Sequence, residues 1–325
     1  MIYTITLNPA LDHYMEVDRF LVEDANRVTG ERYFAGGKGI DVSRAIRRLG
    51  GDSIALGFIG GHNGRVMVEM LKAGDVATYF TPIEGETRRN LIVSTGTGSQ
   101  TIFNTRGPAI TAEEWRCFLM HLQALELRDA YVVMCGSLPR GVPSDSYREI
   151  IELVQKRGAR AVLDADGAAL KAGLKARPFA TKPNVNELRR LMGRRIRGEQ
   201  ELIKAATDLN RDGIEIVMVS RGRHGLLVVS GSERYRAVPP TVKVRSTIGA
   251  GDSTVAGFVY KFASGKPLEE CVRYATAAGT AATLAPGTDL CRLADVERLA
   301  PKVKVERLDQ ARAPRKSKRR PRAAG

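Results

Sequence analysis

Hydrophobic residues occur in short runs whose spacing changes between a two-residue period and a helical period. Residues 2–7 alternate in a β-rich stretch that ends at the turn signal Asn8-Pro9. From residue 39 to residue 49 apolar residues recur three and four positions apart, and a glycine pair ends this pattern. The N-terminal part of the chain therefore predicts a strand, a turn and then a helix.

Beyond residue 130, predicted strands and helices alternate along the chain. The strands are continuously apolar, as in YVVM, AVL and IVMV, which is typical of parallel strands buried on both faces. The main elements are predicted at residues 130–135, 144–156, 159–163, 199–210 and 215–220. The pattern predicts an α/β fold, a three-layer sandwich with a mainly parallel central sheet and crossover helices.

Segments before residue 105 have a different pattern, in which apolar and polar residues alternate as in half-buried strands. Residues 90–95 and 101–105 are two such segments, and the glycine-rich residues 96–99 between them predict a hairpin. We expect these segments to form a small, separate antiparallel sheet. Farther along, Thr111 and Glu114 have the spacing of a capping box and mark the start of a helix.

Composition places the chain among globular proteins with a substantial core. Of its 325 residues, 43% are hydrophobic and 27% are charged, which suits one large α/β domain or two of ordinary size. The 4 cysteines form no C-x-x-C pair and have no metal-ligand spacing to a histidine, as expected for reduced thiols. Neither a signal peptide nor an apolar run of about 18 residues occurs, so we expect a cytoplasmic protein without membrane association.

The formal net charge of +15 is concentrated towards the C-terminus. Residues 301–325 carry ten basic and two acidic side chains and have no apolar periodicity. We therefore expect residues 1–300 to form the folded domain and residues 301–325 to be a disordered basic tail. Such a tail can attract polyanions weakly, but its composition argues against specific nucleic-acid binding. The smaller basic excess of the body suits an enzyme that binds anionic substrates.

The strongest chemical signal is the segment Ser246–Ser253, whose sequence is STIGAGDS. It follows a β-like stretch at residues 241–245 and precedes a predicted helix over residues 253–262. Its two glycines leave several backbone N–H groups free to converge at a helix N-terminus and to stabilise an anion there. Asp252 could accept a proton from an attacking hydroxyl, or it could simply cap the helix while the glycines form a turn.

A second glycine cluster, residues 36–39, has the sequence GGKG and precedes the first predicted helix. A Walker-type phosphate loop requires serine or threonine after the lysine, but Gly39 occupies that position. A dinucleotide-binding fingerprint requires G-x-G-x-x-G directly after a core strand, and the preceding residues do not supply it. Both of these nucleotide-binding motifs are therefore excluded.

Together, the two clusters resemble the two signatures of the PfkB family of ribokinase-like carbohydrate kinases. The string STIGAGDSTVAGF resembles the second signature, and GGKGIDVSRA, more than 200 residues upstream, resembles the first. The resemblance extends from about residue 1 to residue 299. It implies a mainly parallel sheet flanked by helices, with a small β lid from residues near 8–20, 30–37 and 87–106, through which two copies pair as a homodimer.

The resemblance also implies roles for individual residues in ATP-dependent phosphoryl transfer. Asp252 would take the hydroxyl proton, and the backbone of Gly249, Ala250 and Gly251 would hold the transferring phosphoryl group. The residues implied in binding the sugar are Asp12, Gly36, Gly37, Lys38, Asp41, Arg88 and Asp252. Arg88 lies in a Thr-Arg-Arg-Asn string, where a guanidinium suits a substrate phosphate, although two solvated arginines on an exposed strand would give the same pattern.

Binding of ATP and Mg²⁺ is implied for a further group of residues. Asn184 and Glu187 have the family's N-x-x-E pattern, in which the carboxylate organises Mg²⁺, often through water. The residues implied in binding the nucleotide are Lys182, Asn184, Glu187, Ser220, Gly222 and Gly225. The sequence CGSLPRG at residues 135–141 resembles a family loop at the C-terminal end of a core strand and would line the cleft.

Several strings are similar to the phosphosugar branch of the family, whose substrates are fructose 6-phosphate, fructose 1-phosphate and tagatose 6-phosphate. The opening TLNPALD, the string TRRN and the ending AAGTAATLAPGT are shared with that branch. The Asp252 segment and residues 268–291 favour conversion of fructose 6-phosphate to fructose 1,6-bisphosphate. Lys38 instead favours the other two substrates, and Asp41 stands where relatives usually have asparagine.

Two other classes of function are consistent with the fold. A kinase for an unphosphorylated sugar or a nucleoside is one, and the basic pair Arg88 and Arg89 argues against it. A regulator that binds sugar phosphates or nucleic acid without catalysis is the other, and the intact Asp252 argues against that.

Overall fold

The computed structural model describes residues 1–96, 99–287 and 289–308. Within these residues the chain forms a ten-stranded sheet, a separate four-stranded sheet and ten α-helices, so the predicted α/β class is confirmed. The cysteines are free thiols, as their spacing predicts. None of the helices in the described part of the chain is both long and apolar enough to cross a membrane.

The strands and helices have the following bounds. The central sheet consists of β1 (Ile2–Thr6), β4 (Ile54–Ile59), β5 (Ala77–Pro82), β8 (Tyr131–Cys135), β9 (Arg160–Asp164), β10 (Ala180–Thr181), β11 (Ile216–Ser220), β12 (Leu226–Ser230), β13 (Glu233–Val238) and β14 (Lys304–Arg307). The second sheet consists of β2 (Ala10–Val17), β3 (Val28–Gly36), β6 (Arg88–Thr95) and β7 (Gln100–Phe103). The helices are α1 (Lys38–Arg48), α2 (Gly61–Ala73), α3 (Ala112–Gln123), α4 (Ser146–Lys156), α5 (Gly167–Leu174), α6 (Val185–Met192), α7 (Gly198–Arg211), α8 (Ala250–Ala263), α9 (Leu268–Ala282) and α10 (Leu293–Leu299). Two single-turn 3₁₀ helices are formed by Gly222–His224 and Ala300–Lys302.

The central sheet is mainly parallel, as its apolar strands predict. Its strand order is β14-β13-β12-β11-β10-β9-β8-β1-β4-β5, and the strands from β11 to β5 all run in the same direction. Strands β12, β13 and β14 extend the sheet in antiparallel fashion. In the parallel part, the carboxyl ends of neighbouring strands meet at one edge, where ligands bind in open α/β sheets.

Helices cover both faces of the central sheet because its strands are apolar on both sides. In β8, Tyr131 and Val133 point into one hydrophobic cluster, to which α1, α8 and α9 contribute. Val132 and Met134 point into a second cluster beneath α3 and α4. Burying a side chain of this size contributes about 1.5–3 kcal/mol. The predicted three-layer sandwich is therefore confirmed.

The four-stranded sheet, here called the lid, has the strand order β3-β2-β6-β7. β6 and β7 pair in antiparallel fashion, as the hairpin signal predicts, but β2 and β6 run parallel. The expectation of an entirely antiparallel sheet was wrong because α1, β4, α2 and β5 lie between these two strands in the chain, and a connection of that length permits parallel pairing. Residues 97–98 of the β6–β7 turn lie outside the described residues.

Two predicted elements differ from the structure. The β-like stretch at residues 241–245 is an irregular loop, because Pro239 and Pro240 precede it and the free edge of β13 is already paired with β14. The domain boundary expected at residue 300 is too early, since β14 belongs to the central sheet and Val305 packs against the core. One half-buried valine between charged residues gives little hydrophobic signal. Residues 309–325 of the predicted tail lie outside the part that the structure describes.

Candidate active site

The segment around Asp252 forms the N-terminus of a buried helix. α8 begins at Ala250, and Gly249 is its N-cap residue, with a left-handed φ of 73°. This φ strains any side chain at the position, and a Cβ would also lie 2.6 Å from Leu290 Cδ2, which would have to shift. Amides of the first helical turn have no intrahelical carbonyl to bind, so they are available to an anion. The alternative that Asp252 caps the helix is wrong, because Gly249 occupies that position.

Asp252 lies in the first turn of α8 and is 8% exposed. Burial raises the pKa of its carboxyl to about 6; Lys38 and Lys182 lower this pKa, whereas Asp164 and Glu187 raise it. A general base works best when its pKa is close to the operating pH, which an ordinary aspartate does not achieve. This carboxylate is therefore suited to accept a proton from a substrate hydroxyl.

Two lysines and a further aspartate surround Asp252. Lys38 is the first residue of α1, Lys182 follows β10, and Asp164 is the last residue of β9. The Nζ atom of Lys182 is 3.4 Å from Asp164 Oδ1, and that of Lys38 is 3.7 Å from Oδ2. Asp164 raises the pKa of Lys38 above its ordinary value, so this ammonium group stays charged. Sequence reasoning missed Asp164, although an acidic residue that ends a buried strand is a usable signal.

A cavity of about 890 Å³ opens beside Asp252, a volume within the range of ligand-binding clefts. It is called the nucleotide cavity below, because the residues that the family resemblance implies in nucleotide binding line it. The predicted site residues that line it are Lys38, Lys182, Asn184, Glu187, Ser220, Gly222, Gly225, Gly249, Ala250, Gly251 and Asp252. Lining residues that sequence reasoning missed are Pro239, Pro240, Val242 and Val244 on the irregular loop and Thr254, Thr276 and Thr280 on α8 and α9. The loop that resembled a strand thus supplies an apolar wall.

Asn184 and Glu187 form a capping box at the start of α6. The amides of Asn186 and Glu187 each donate to Asn184 Oδ1 at 2.9 Å, and the Asn184 amide donates to Glu187 Oε2 at 2.8 Å. The N-x-x-E spacing therefore has a structural function of its own. The second carboxylate oxygen of Glu187 takes no part in the capping box.

The chemistry of Mg²⁺ determines whether this arrangement can hold the ion. Mg²⁺ keeps several of its waters and binds substrate phosphates, so one or two protein carboxylates are enough. Within the described residues, no group of three or more histidine, cysteine and acidic side chains is arranged as a metal site. Glu187 is 8% exposed and lines the nucleotide cavity, which fits such sparse coordination.

The turn between β11 and β12 forms another wall of the nucleotide cavity. Gly225 has a φ of 81°, and a Cβ there would collide with the carbonyl oxygen of Ala237. The amide of Arg221 donates to Gly225 O at 2.8 Å and closes the turn. Ser220, Gly222 and Gly225 all face the cavity in consequence.

Asp12, Gly36 and Asn90 meet where the lid joins the body. β2 and β6 place Asp12 opposite Asn90, whose Nδ2 donates to Asp12 Oδ1 at 2.8 Å. Gly36 leaves room for this contact, since a Cβ there would collide with the Asp12 carboxylate. Burial raises the pKa of Asp12 to about 6, and Asn90, Arg88 and Arg44 partly offset that effect. A partly buried acceptor of this kind suits sugar hydroxyls.

Gly37 and Asp41 lie at the start of α1. Gly37 is the N-cap residue, with a φ of 114° that favours glycine. Asp41 Oδ1 accepts a hydrogen bond of 2.8 Å from Arg44. Burial raises the pKa of Asp41 well above its ordinary value; Arg44 lowers it, and the carboxylates of Asp252 and Asp12 raise it further. Asp41 is therefore close enough to both Asp252 and Asp12 for their charges to act on its carboxyl group.

Arg88, the first residue of β6, is bound largely to backbone carbonyl groups. Its guanidinium donates to Asn8 O at 3.0 and 3.3 Å and to Thr105 O at 2.9 Å. Burial lowers the pKa of Arg88, and Asp12 raises it. Arg88 is half-buried whereas Arg89 is exposed, so the reading of two equivalent solvated arginines is wrong.

The structure separates the predicted sugar-binding residues into two groups. Lys38 lines the nucleotide cavity together with Asp252. Asp12 and Arg88 instead share Asn90 as a hydrogen-bond partner at the base of the lid. The loop of residues 135–141 joins the second group, because Asn8 Nδ2 donates to Ser137 Oγ at 3.2 Å.

A helix N-terminus suited to an anion, a buried aspartate with a raised pKa and an adjacent cavity are the features that the resemblance to carbohydrate kinases implies. Residues 5–295 match the pfkB family of carbohydrate kinases, and the chain belongs to this family. Its relatives are sugar-phosphate kinases, so the protein is a phosphotransferase that uses ATP as co-substrate and an alcohol group as acceptor.

Relatives with three different substrates are similar to this chain. It is 38% identical to 1-phosphofructokinase of Bacillus subtilis over 95% of this chain and 100% of the relative. It is 37% identical to ATP-dependent 6-phosphofructokinase isozyme 2 of Escherichia coli, over 92% and 97%. Tagatose-6-phosphate kinase of Staphylococcus epidermidis is 35% identical, over 86% and 91%. The solved structure of the tetrameric inhibited form of phosphofructokinase-2 from Escherichia coli is 36% identical, with a TM-score of 0.88, over 93% and 98% of the two chains.

Proposed function

We propose that this kinase transfers the γ-phosphoryl group of ATP to fructose 6-phosphate in the cytoplasm, giving fructose 1,6-bisphosphate. The observation that carries the proposal is a series of polar groups between Asp252 and Arg88. Asp12 and Arg88 share Asn90 as a hydrogen-bond partner at the base of the lid. Lys38, the first residue of α1, lines the nucleotide cavity with Asp252. Asp41 lies in the first turn of the same helix, and the charges of Asp252 and Asp12 both raise its pKa. We infer that the sugar site extends from a base, Asp252, to a guanidinium, Arg88, which suits a sugar that already carries a phosphate.

In the proposed reaction, Asp252 accepts the proton of the attacking hydroxyl. The hydroxyl oxygen forms a bond to the γ-phosphorus as the bond to the β–γ bridging oxygen breaks, and ADP leaves. Amides of Gly249–Asp252 and the ammonium group of Lys182 stabilise the transferring phosphoryl group. A Cβ at Gly251 would be 3.5 Å from Lys182 Nζ, so this charge lies next to the helix terminus. Positioning and electrostatics supply most of the catalysis in such a reaction.

We assign Lys38 to the transferring phosphoryl group rather than to the phosphate that the sugar already carries. Its side chain lines the nucleotide cavity and lies beside Asp164, whereas the guanidinium of Arg88 belongs to the lid. Arg88 then binds the sugar's own phosphate with the one N–H that its contacts to Asn8, Thr105 and Asn90 leave unused. Asp12 orients the sugar hydroxyls, while Gly36 and Gly37 let the sugar approach the backbone closely.

Mg²⁺ would be held at the nucleotide phosphates by Glu187. Asn184 would orient that carboxylate through the capping box, since such supporting contacts tune the ligands of a metal. When bound, the ion neutralises negative charge on the phosphate oxygens. Ser220, Gly222 and Gly225 would bind the rest of the nucleotide at the other wall of the cavity.

We further propose that the lid pairs with the lid of a second copy. Large apolar side chains on the lid strands and the β2–β3 connection are more than a third exposed, namely Phe20, Val22, Val28, Tyr33, Ile102 and Phe103. Clusters of exposed apolar side chains of this kind mark interaction surfaces. Light scattering should give a mass near twice 35.4 kDa, and Phe103→Asp should shift it towards the monomer. A monomeric mass for the unaltered protein would contradict this proposal.

The substrate proposal is tested by measuring ADP release with fructose 6-phosphate, fructose 1-phosphate, tagatose 6-phosphate, fructose and adenosine. We expect the highest kcat/KM with fructose 6-phosphate and at most trace activity with fructose or adenosine. Preference for either unphosphorylated compound would overturn the assignment to phosphosugars.

Fructose 1-phosphate is the second candidate. The presence of lysine at position 38 resembles the pattern of 1-phosphofructokinase, and the chain is 38% identical to a 1-phosphofructokinase. Both observations favour this substrate. Phosphorylation at the opposite end of the sugar would give the same bisphosphate, so the two candidates differ only in which end lies at Asp252. A higher kcat/KM with fructose 1-phosphate in the same assay would decide for this orientation.

A further inference from the structure

Asp164 is a buried carboxylate that the reaction described above does not use. It lies at the carboxyl end of β9 and is 1% exposed. Within the described residues, neither of its carboxylate oxygens has a hydrogen-bond partner. An ionised carboxylate in such a place is strongly disfavoured unless cations compensate it. The compensating groups are Lys38 and Lys182, one beside each oxygen.

The distances from Asp164 to the two lysines are those of ion pairs rather than of hydrogen bonds. They are 3.7 and 3.4 Å, whereas N–H donors form hydrogen bonds at about 2.7–3.2 Å. Each ammonium group therefore keeps N–H donors for another acceptor while the carboxylate holds it in place. Both lysines line the nucleotide cavity beside Asp252.

We propose that Asp164 is a positioning residue for phosphoryl transfer, which holds Lys38 and Lys182 beside the N-terminus of α8 so that both ammonium groups contact the transferring phosphoryl group. The inference rests on the proposed function of Asp252. The two lysines come from different parts of the chain and would repel each other without a shared anion. Charges that are fixed before the reaction need no reorganisation during it, which is the main source of electrostatic catalysis.

The test begins with Asp164→Asn, which keeps the size of the side chain and removes its charge. We expect kcat to fall about 10- to 100-fold, as for small displacements of catalytic groups, while KM for the sugar phosphate changes less than about threefold. In a Lys38→Met background the same substitution should cost less than about fivefold, because only Lys182 remains to be held. Independent effects that multiply in the double variant would overturn the proposal.

Glu199→Gln is a matched control for loss of a bridging carboxylate. Glu199 also lies between two cations, Arg221 at 2.7 Å and Arg236 at 2.6 Å. We expect this variant to lose Tm while kcat stays within about twofold of the parent. If Asp164→Asn behaves like the control, losing Tm with unchanged kcat, Asp164 is a structural ion pair and the proposal fails. If it only raises the Mg²⁺ concentration for half-maximal activity, Asp164 is a metal ligand and the proposal also fails.

Two further variants keep the outcome interpretable. If Asp164→Asn does not fold, Asp164→Glu retains the charge but displaces it by one methylene, and we expect the same loss of kcat at unchanged KM. An unaltered kcat in Asp164→Glu would then overturn the proposal. Asp252→Asn, measured in parallel, separates the two levels of inference. An active Asp252→Asn variant contradicts the proposed reaction, whereas an inactive one beside a fully active Asp164→Asn contradicts only the role of Asp164.

Discussion

Asp12, Asp41 and Asp252 are three carboxylates of one site, and burial raises the pKa of each. Basic side chains lower these pKa values only in part, so the site favours protonation more than ordinary aspartates do. The same burial that makes Asp252 a better base makes its ionised form unfavourable for stability. An acid whose pKa is higher in the folded than in the unfolded state contributes its full stabilisation below the unfolded-state pKa. This contribution is lost as the pH rises through the folded-state pKa.

Asp252→Asn should separate catalysis from stability at this residue. Asparagine keeps the size but cannot accept the proton, so we expect kcat to fall roughly 10²–10⁴-fold, equivalent to about 3–5 kcal/mol. At pH 7.5 the variant no longer buries an ionised carboxylate, so its Tm should rise by roughly 2–5 °C. Steady-state kinetics and calorimetry measure the two effects. A near-normal kcat would remove Asp252 from the role of base.

The pH dependence of kcat should reveal the raised pKa of Asp252. The groups around it are Lys38, Asp164, Lys182 and Glu187, and its pKa is about 6 before substrates bind. Bound phosphates add negative charge and raise that pKa further. With both substrates saturating, kcat should therefore fall as the pH decreases, with a midpoint at or above about 6, because the protonated carboxyl cannot act as a base. A constant kcat between pH 5 and pH 8 would contradict this assignment.

Residues that act as neighbours in the sequence were predictable, whereas residues that meet only in space were not. The Asp252 segment could be identified because its glycines and its carboxylate are consecutive and work at one helix terminus. Asp164 could not be identified in this way, because its role depends on Lys38 and Lys182, which lie on other elements and approach it only in the folded chain. The hydrogen bonds from Arg88 to carbonyl oxygens could not be predicted from the sequence either, because Arg88 and its exposed neighbour Arg89 are the same residue type.

At the scale of elements, strong local signals were reliable and charged or proline-flanked segments were not. The capping box at Thr111 and the hairpin of β6 and β7 formed as predicted because adjacent residues determine them. Residues 241–245 have the composition of a strand, but they line the nucleotide cavity instead, since the neighbouring edge is occupied. Whether a segment of this composition becomes a strand depends on a free sheet edge with which it can pair. The sequence does not show which sheet edges are free.

Arg88, the first residue of β6, provides a test of whether the lid binds the phosphate of the sugar. Arg88→Ala should raise KM for the sugar phosphate about 10- to over 100-fold, since a charge-assisted contact to phosphate is worth roughly 1.5–3 kcal/mol. KM for ATP should change little, because Arg88 belongs to the lid and not to the nucleotide cavity. Arg89→Ala is the matched control, as this neighbour is exposed, and it should leave both KM values within about twofold. A selective increase in KM for ATP would contradict the assignment of Arg88.

The whole molecule brings distant parts of the chain to one edge of the central sheet. β1 is an interior strand between β8 and β4. The candidate site is drawn from both halves of the sequence, since Lys38 begins α1, Lys182 follows β10 and Asp252 lies in α8. Periodicity predicted the layers and the mainly parallel sheet, because burial on both faces leaves a direct hydrophobic signal. Strand order left no such signal, and neither did the position of β14 at the end of the sheet.

Truncation tests where the folded domain ends. Leu308 donates its amide to Arg234 O at 2.8 Å and β14 pairs with β13, so a chain that ends at residue 308 retains the whole central sheet. We expect its Tm within about 1 °C and its kcat within about twofold of the full chain, because residues 309–325 lack apolar periodicity.

A chain that ends at residue 303 loses β14 and the packing of Val305 against the core. Its Tm should fall by roughly 4–10 °C, since each kcal/mol corresponds to a few degrees in a protein of this size. A large loss of Tm in the longer truncation product would show that the basic tail docks on the domain, and equal Tm values for both products would remove β14 from the folded core.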